Sequence, residues 1–373
     1  MTTVHNFGIN PITCHAWSGD RKSLAISQNS KNVSLLTSEG SGWKETGLLD
    51  QHDLRVTSID WGAKTNRIVT CSADRNAYVW VLDENGEWKK TLVLLRINRA
   101  ATFVRWSPEE NKFAVGSGAK IISICYHEKE FDGWVSKHIK KPIQSTITSI
   151  DWHPNNILIA AGSTDFKVRV FSAFVKDIEP RPSPTEWGAK MPMGHLMKEF
   201  SNSSRGGGWV HAVSFSPDGS KLAWAGHDSS ISVADANNEM VVMKVNTALL
   251  PMCSLTWIRD NTITAAGHNC VPYTFIVGSD SVTLGSVMEE EKKKGSSGKT
   301  SAMDKFRNMD KLGKDDNEMV SKMNFTHQKQ ISEIRIKEGE KGSVQKFSTC
   351  SHDGKIVVWD LKSLTASMKD LKI

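Results

Sequence analysis

Short stretches in which apolar and small polar residues alternate recur along the whole chain. The six-residue pieces ITCHAW, VTSIDW, ATFVRW and ITSIDW end at Trp17, Trp61, Trp106 and Trp152, and VHAVSF, MCSLTW and ISEIRI end at Phe215, Trp257 and Ile336. Alternation of this kind predicts strands that are half-buried on one face. Each piece leads through a turn, such as GAKTNR, SPEENK, HPNN or SPDGSK, into a second apolar run that ends in small residues: IVTCSA, FAVGSG, LIAAGS, LAWAGH. A third run (AYVWVL, VRVFSA, ISVADA, IVVWDL) and, in most units, a more polar fourth one (EWKKTLVLL, EMVVMKV) complete the unit.

Successive units stand 44, 45, 46, 63, 42 and 79 residues apart. Four strands in roughly 40–45 residues is the period of one blade of a WD-repeat propeller. The expected fold is therefore all-β, a seven-bladed WD-repeat β-propeller occupying residues 1–373 as a single domain. Ala, Gly and Ser at the ends of the second runs let neighbouring sheets crowd together near the axis, while Trp and Ile fill the wider layers outside. The last run, KIVVWDLKSL, brings the chain only three strands into blade seven. TVHNFGI near the N terminus has no other place, so it is expected to supply the outer strand that closes that blade.

The period breaks twice. Residues 175–208 hold four prolines and a glycine run, which predicts a loop insertion without regular strands. Its Trp187, Met191, Met193 and Leu196 either lie on the surface or dock on this protein or a neighbour. Residues 288–323 are charged and rich in Gly and Ser, which predicts a flexible insertion. Within it, TSAMDKFRNMDKL reads as one short helix over 302–312, between blades six and seven. Ser301 is a suitable N-cap, Asp304 an acidic first-turn residue and Gly313 a terminator, and Lys311 and Lys314 sit where the helix dipole favours cations. Ala302, Phe306 and Met309 share a face, with Met303 and Leu312 at its edges. A helix of three turns is marginal in water. It makes sense as one contact of a protein already held elsewhere, or packed back on its own propeller.

Composition adds mainly exclusions. A net charge of +6 over 373 residues does not demand nucleic acid, although it permits an acidic partner surface. None of the six cysteines forms a C-x-x-C pair, so the usual zinc and dithiol spacings are missing, and the cysteines read as buried reduced thiols. MTTVHNFGINP lacks an apolar leader core, and no run approaches the ~18 apolar residues of a membrane span. The expected location is the cytosol, with nuclear import open.

Two units carry residues that resemble catalytic chemistry. Blade two has His52, Ser72, Asp74 and Trp80; blade seven has His327, Ser351, Asp353 and Trp359, with the same Ser–Asp and Asp–Trp spacings. A Ser-His-Asp triad is one reading. The other, favoured because the set repeats, is the structural tetrad of WD repeats. In it Asp holds His, His reaches Ser and Ser reaches the Trp indole, so that buried polar groups are satisfied. Elsewhere the set is partial: Asp165 is followed six residues later by Phe171, and Asp228 by Ala234. GSSGKT at 295–300 resembles the end of a phosphate-binding loop, but Lys293 stands where that motif needs glycine. No catalytic residue, cofactor or metal is expected.

PITCHAW, the unbroken stretch over residues 106–182 and the insertion bearing MDKFRNMDK resemble one family specifically, the WD-repeat subunit one of the actin-related protein two/three complex. The resemblance implies a scaffold in a seven-subunit assembly that nucleates branched actin filaments. Its partners would be the other subunits, the actin filament and nucleation-promoting factors, in the cytoplasmic actin cytoskeleton. It also implies that the inserted helix contacts the mother filament through Met303, Phe306, Arg307, Met309 and Leu312. The alternative is a generic WD-repeat adaptor that binds a peptide in another complex.

Overall fold

The computed structural model describes residues 2–40, 42–130, 132–202, 207–289 and 325–362. Among these residues, 28 strands form seven four-stranded antiparallel sheets. Blades one to six each use four consecutive strands. The innermost are Cys14–Trp17, Val56–Trp61, Ala101–Trp106, Ile147–Trp152, Val210–Phe215 and Met252–Arg259, and blade seven contributes Ile331–Glu338. Each innermost strand lies against those of both neighbouring blades, the last against the first, so the ring is closed.

The N terminus completes blade seven, as the sequence predicts. Thr3–Asn6 pairs antiparallel with Lys355–Asp360, Thr3 opposite Val358 and Asn6 opposite Lys355. The Phe7 N–H continues the ladder by donating to the Gly354 carbonyl at 2.9 Å.

Small residues near the axis have a measurable reason. A Cβ on Gly116 of blade three would stand 2.6 Å from Ile147 Cγ2 of blade four, and one on Gly162 of blade four 2.7 Å from Val210 Cγ1 of blade five. Both distances are too short for carbon atoms, so the sheets could not approach as they do. Farther out, large side chains fill the seams, as Trp257 and Phe275 do against Ala223 and Ala225 between blades five and six.

A repeated irregularity laces the seams together. In blades two to seven the register between the first two strands shifts at the second residue of the innermost strand. Such a bulge re-aims the side chain it carries. Four of these side chains are hydroxyls that donate to the next blade: Thr57 to the Ala101 carbonyl (2.9 Å), Thr102 to Ile147 (2.6 Å), Thr148 to Val210, and Ser332 to Ile12 (2.8 Å). The last bond crosses the closing seam between blades seven and one.

Candidate functional site

Buried polar groups need partners, and the suspected triads are built to provide them. In blade two the Trp80 indole donates to Thr70 Oγ1 at 3.0 Å, Thr70 Oγ1 lies 2.8 Å from His52 Nε2, and His52 Nδ1 lies 2.9 Å from Asp74 Oδ2. Asp74 also accepts the Asp53 N–H at 2.9 Å, which fixes the loop leading into the blade. Blade seven repeats the chain: Trp359 to Thr349 (2.9 Å), Thr349 to His327 (2.8 Å), His327 to Asp353 (3.3 Å) and the Gln328 N–H to Asp353 (2.9 Å).

The linking hydroxyl is therefore a threonine, which corrects the expectation that Ser72 and Ser351 occupy that place. Ser72 Oγ donates to the Leu54 and Arg55 carbonyls, both at 2.9 Å, and accepts the Asp74 N–H at 3.1 Å. Ser351 Oγ does the same with the Lys329 carbonyl and the Asp353 N–H. Neither serine bonds a histidine, and both are fully buried. Burial pushes the His52 ring below its usual range in spite of the Asp74 charge. A neutral ring with its proton on Nδ1 matches one direction of donation, from Trp80 through Thr70 and His52 to Asp74. Asp353 is half-buried, which alone would raise its carboxyl. Hydrogen bonds from His327 and the Gln328 and Lys355 N–H groups outweigh that and hold it at about 2.

Other blades solve the same problem with other residues. In blade four, Arg169 replaces the histidine and binds Asp165 (2.8 Å) and Glu199 (2.7 Å). In blade five, Asn202 accepts from the Trp224 indole at 3.1 Å and donates to Asp228 at 3.1 Å. At the closing seam, His15 Nε2 lies 2.7 Å from Ser348 Oγ, which also accepts from the Trp17 indole at 2.8 Å. Sequence spacing misses this last set because its members come from opposite ends of the chain. The axial cavity, about 410 Å³, is lined by acids and bases that pair with one another. Asp60 and Glu333 flank Arg335 at 2.8 and 3.0 Å, and Asp151 meets Lys341 at 2.7 Å.

The first insertion is not wholly irregular. Leu196–Ser201 is the outer strand of blade four, paired with Lys167–Ser172, which corrects the expectation of a strandless loop. Trp187 and Met191 turn inward and pack with Phe200, Phe215 and Trp224 between blades four and five. The Trp187 indole donates to the Gly219 carbonyl at 2.8 Å. At the insertion's start, fully buried Lys112 donates to Glu179 at 2.6 Å and to the Ala173 carbonyl at 2.8 Å, while Asn156 binds the other Glu179 oxygen.

The outer strand of blade six ends at Val287, directly before the second insertion. Met288 is buried against blade seven, and Glu289 accepts the Thr326 N–H at 2.7 Å, so the two ends of the segment are tied together at its neck. The expected helix 302–312, with Met303, Phe306, Arg307, Met309 and Leu312, lies outside the described residues.

Comparison with known proteins places this geometry. Residues 43–81, 136–172 and 195–235 match the family described as WD domain, G-beta repeat. Over 372 residues, covering 100% of both chains, the protein is 50% identical to actin-related protein 2/3 complex subunit 1A-B of Xenopus laevis. It is 42% identical to subunit 1 of that complex from Schizosaccharomyces pombe, over 93% of this chain and 96% of the relative. It is 39% identical to subunit 1B of Arabidopsis thaliana, over 98% and 97%. A closed seven-bladed ring with such relatives along its full length belongs to the family of subunit 1 of the actin-related protein 2/3 complex.

Proposed function

We propose that this chain is a non-catalytic scaffold subunit of an actin-related protein 2/3 complex in the cytoplasmic actin cytoskeleton, where the complex nucleates branched actin filaments. The observation that carries the reading is 50% identity over 100% of this chain, and 42% over 93% of it, to relatives named as subunit 1A-B and subunit 1 of that complex. The non-catalytic part rests on the serines: Ser72 and Ser351 are committed to backbone carbonyls and do not touch a histidine.

In this reading the ring is the rigid body that the other subunits grip, and it contributes to binding nucleation-promoting factors. The segment between Glu289 and Thr326 carries the contact with the mother filament, through Met303, Phe306, Arg307, Met309 and Leu312. Its amphipathic pattern and its pinned neck support this role. A helix too short to be stable alone gains from a tether of this kind, because the rest of the complex supplies the remaining affinity. The test is a Phe306→Asp/Met309→Asp double variant in purified, reconstituted complex. Assembly should be unchanged and branch density on preformed filaments should fall several-fold. Branching equal to wild type rejects the filament contact.

A further inference from the structure

The closing seam between blades seven and one contains a polar cluster that its own hydrogen bonds leave incomplete. His15 on the innermost strand of blade one, Glu333 on that of blade seven and Cys350 on the next strand each offer one ligand atom, and these atoms lie within 4.8 Å of one another. Among the described residues it is the one such cluster found. His15 and Cys350 are fully buried, and the Glu333 side chain is 8% exposed.

His15 Nδ1 is buried without a hydrogen-bond partner. It faces Glu333 Oε2 at 3.6 Å, beyond hydrogen-bond reach, whereas the equivalent nitrogen of His52 meets its aspartate at 2.9 Å. Ser348 Oγ, 2.7 Å from His15 Nε2, suits either tautomer of the ring. This oxygen accepts from the Trp17 indole and has the Arg335 carbonyl as acceptor for its own proton at 3.4 Å. One of the two tautomers has His15 donating from Nε2 to that hydroxyl. In that tautomer Nδ1 presents a bare lone pair to a carboxylate oxygen 3.6 Å away, an arrangement that a cation between them satisfies. Glu333 Oε1 is occupied by Arg335 and Arg105, while Oε2 accepts only the His15 N–H at 3.0 Å and keeps a free lone pair. His15 Nδ1 and Glu333 Oε2, 3.6 Å apart, suit one edge of a tetrahedron around an ion with bonds of about 2.0–2.3 Å, and the Cys350 sulfur lies within 4.8 Å of both.

We propose that this cluster is a structural site for a zinc-class divalent ion, held by His15 Nδ1, Glu333 Oε2 and Cys350 Sγ across the seam that closes the ring. Imidazole, carboxylate and thiolate together select a borderline-soft ion over calcium or magnesium. Binding releases the Cys350 thiol proton to solvent and forms three bonds to the ion, leaving one position for water. The ligands are Nδ1, a carboxylate and a thiol from positions 15, 333 and 350, so no short spacing in the sequence announces them.

The test uses the full chain, produced without an affinity tag in zinc-supplemented medium and analysed for metal by mass spectrometry. Wild type should retain close to one zinc per chain, and a chelator should lower its melting temperature. Cys350→Ser should fold, lose affinity at least about tenfold and melt without regard to chelator. Wild type refilled with cobalt should show a thiolate-to-cobalt charge-transfer band that Cys350→Ser lacks. If the variant does not fold, the cobalt band of wild type decides alone. Zinc held equally by folded Cys350→Ser, or folded wild type without zinc and without the band, overturns the proposal.

Discussion

Thr70 and Thr349 each hold a tryptophan on one side and a histidine on the other, so each hydroxyl satisfies two buried groups at once. Thr70→Val keeps the shape and removes the oxygen, leaving the Trp80 N–H and His52 Nε2 unpaired. The expected cost is about 1–3 kcal/mol, read as a shift of the urea midpoint, and Thr70→Ser should restore most of it. Ser72→Ala should cost about 1 kcal/mol through its loop contacts alone. A larger loss for Ser72→Ala than for Thr70→Val would contradict the relay. His, Asp and Trp of these sets were legible from their spacing, but the hydroxyl was not. Thr70 and Ser72 are two apart on one strand and share a face, so spacing offers both. The choice is made across the sheet, where Trp80 stands opposite Ile68 and its indole reaches diagonally to Thr70.

At the scale of elements, the first insertion behaves as part of the core. Trp187 is 1% exposed and packed between blades, so Trp187→Ala should cost about 3–5 kcal/mol. Glu179→Gln leaves Lys112 charged and buried without its carboxylate and should cost about 3–5 kcal/mol. Adding Lys112→Met to that variant should recover much of the loss, measured by denaturant unfolding. Prolines announced an insertion here, but they could not show that it folds inward, because Lys112, Asn156 and Gly219 lie far from it in sequence. The N-terminal strand was easier to foresee, since a ring one strand short has only one vacancy. Removing residues 2–9 exposes the edge of Lys355–Asp360, which carries the apolar run Ile356–Trp359. The truncated chain should therefore melt earlier and aggregate more readily than one with an ordinary tail removed.

For the whole molecule, buried and half-buried histidines set the response to acid. Burial, and then His227 and His268, hold His211 down to about 4, and burial lowers His52 and His153 as well. An unfolded chain takes up protons on these rings near 6.5, where the folded chain still resists. Their contribution to stability is full above about pH 6.5 and is lost on acidification below it, for His211 as the pH falls towards about 4. Asp353 follows: its carboxyl, held at about 2 against an ordinary 3.8, contributes on the order of 2 kcal/mol that disappears between those values. The melting temperature should thus decline steadily on acidification from neutrality; a flat profile down to about pH 4 would contradict the histidine burial. The seven-fold ring was legible because each blade repeats the same pattern of runs. The bulged hydroxyls that lace one blade to the next were visible only as the second residues of VTSIDW, ATFVRW, ITSIDW and ISEIRI, without their purpose. The account's central claim, that this ring works as a subunit and not alone, is tested most directly by the native mass of the tagged chain in a gentle lysate. A particle several times heavier than the chain, holding two actin-related proteins in equal amount with it, is the predicted result. A free chain, or a particle without those proteins, would contradict it.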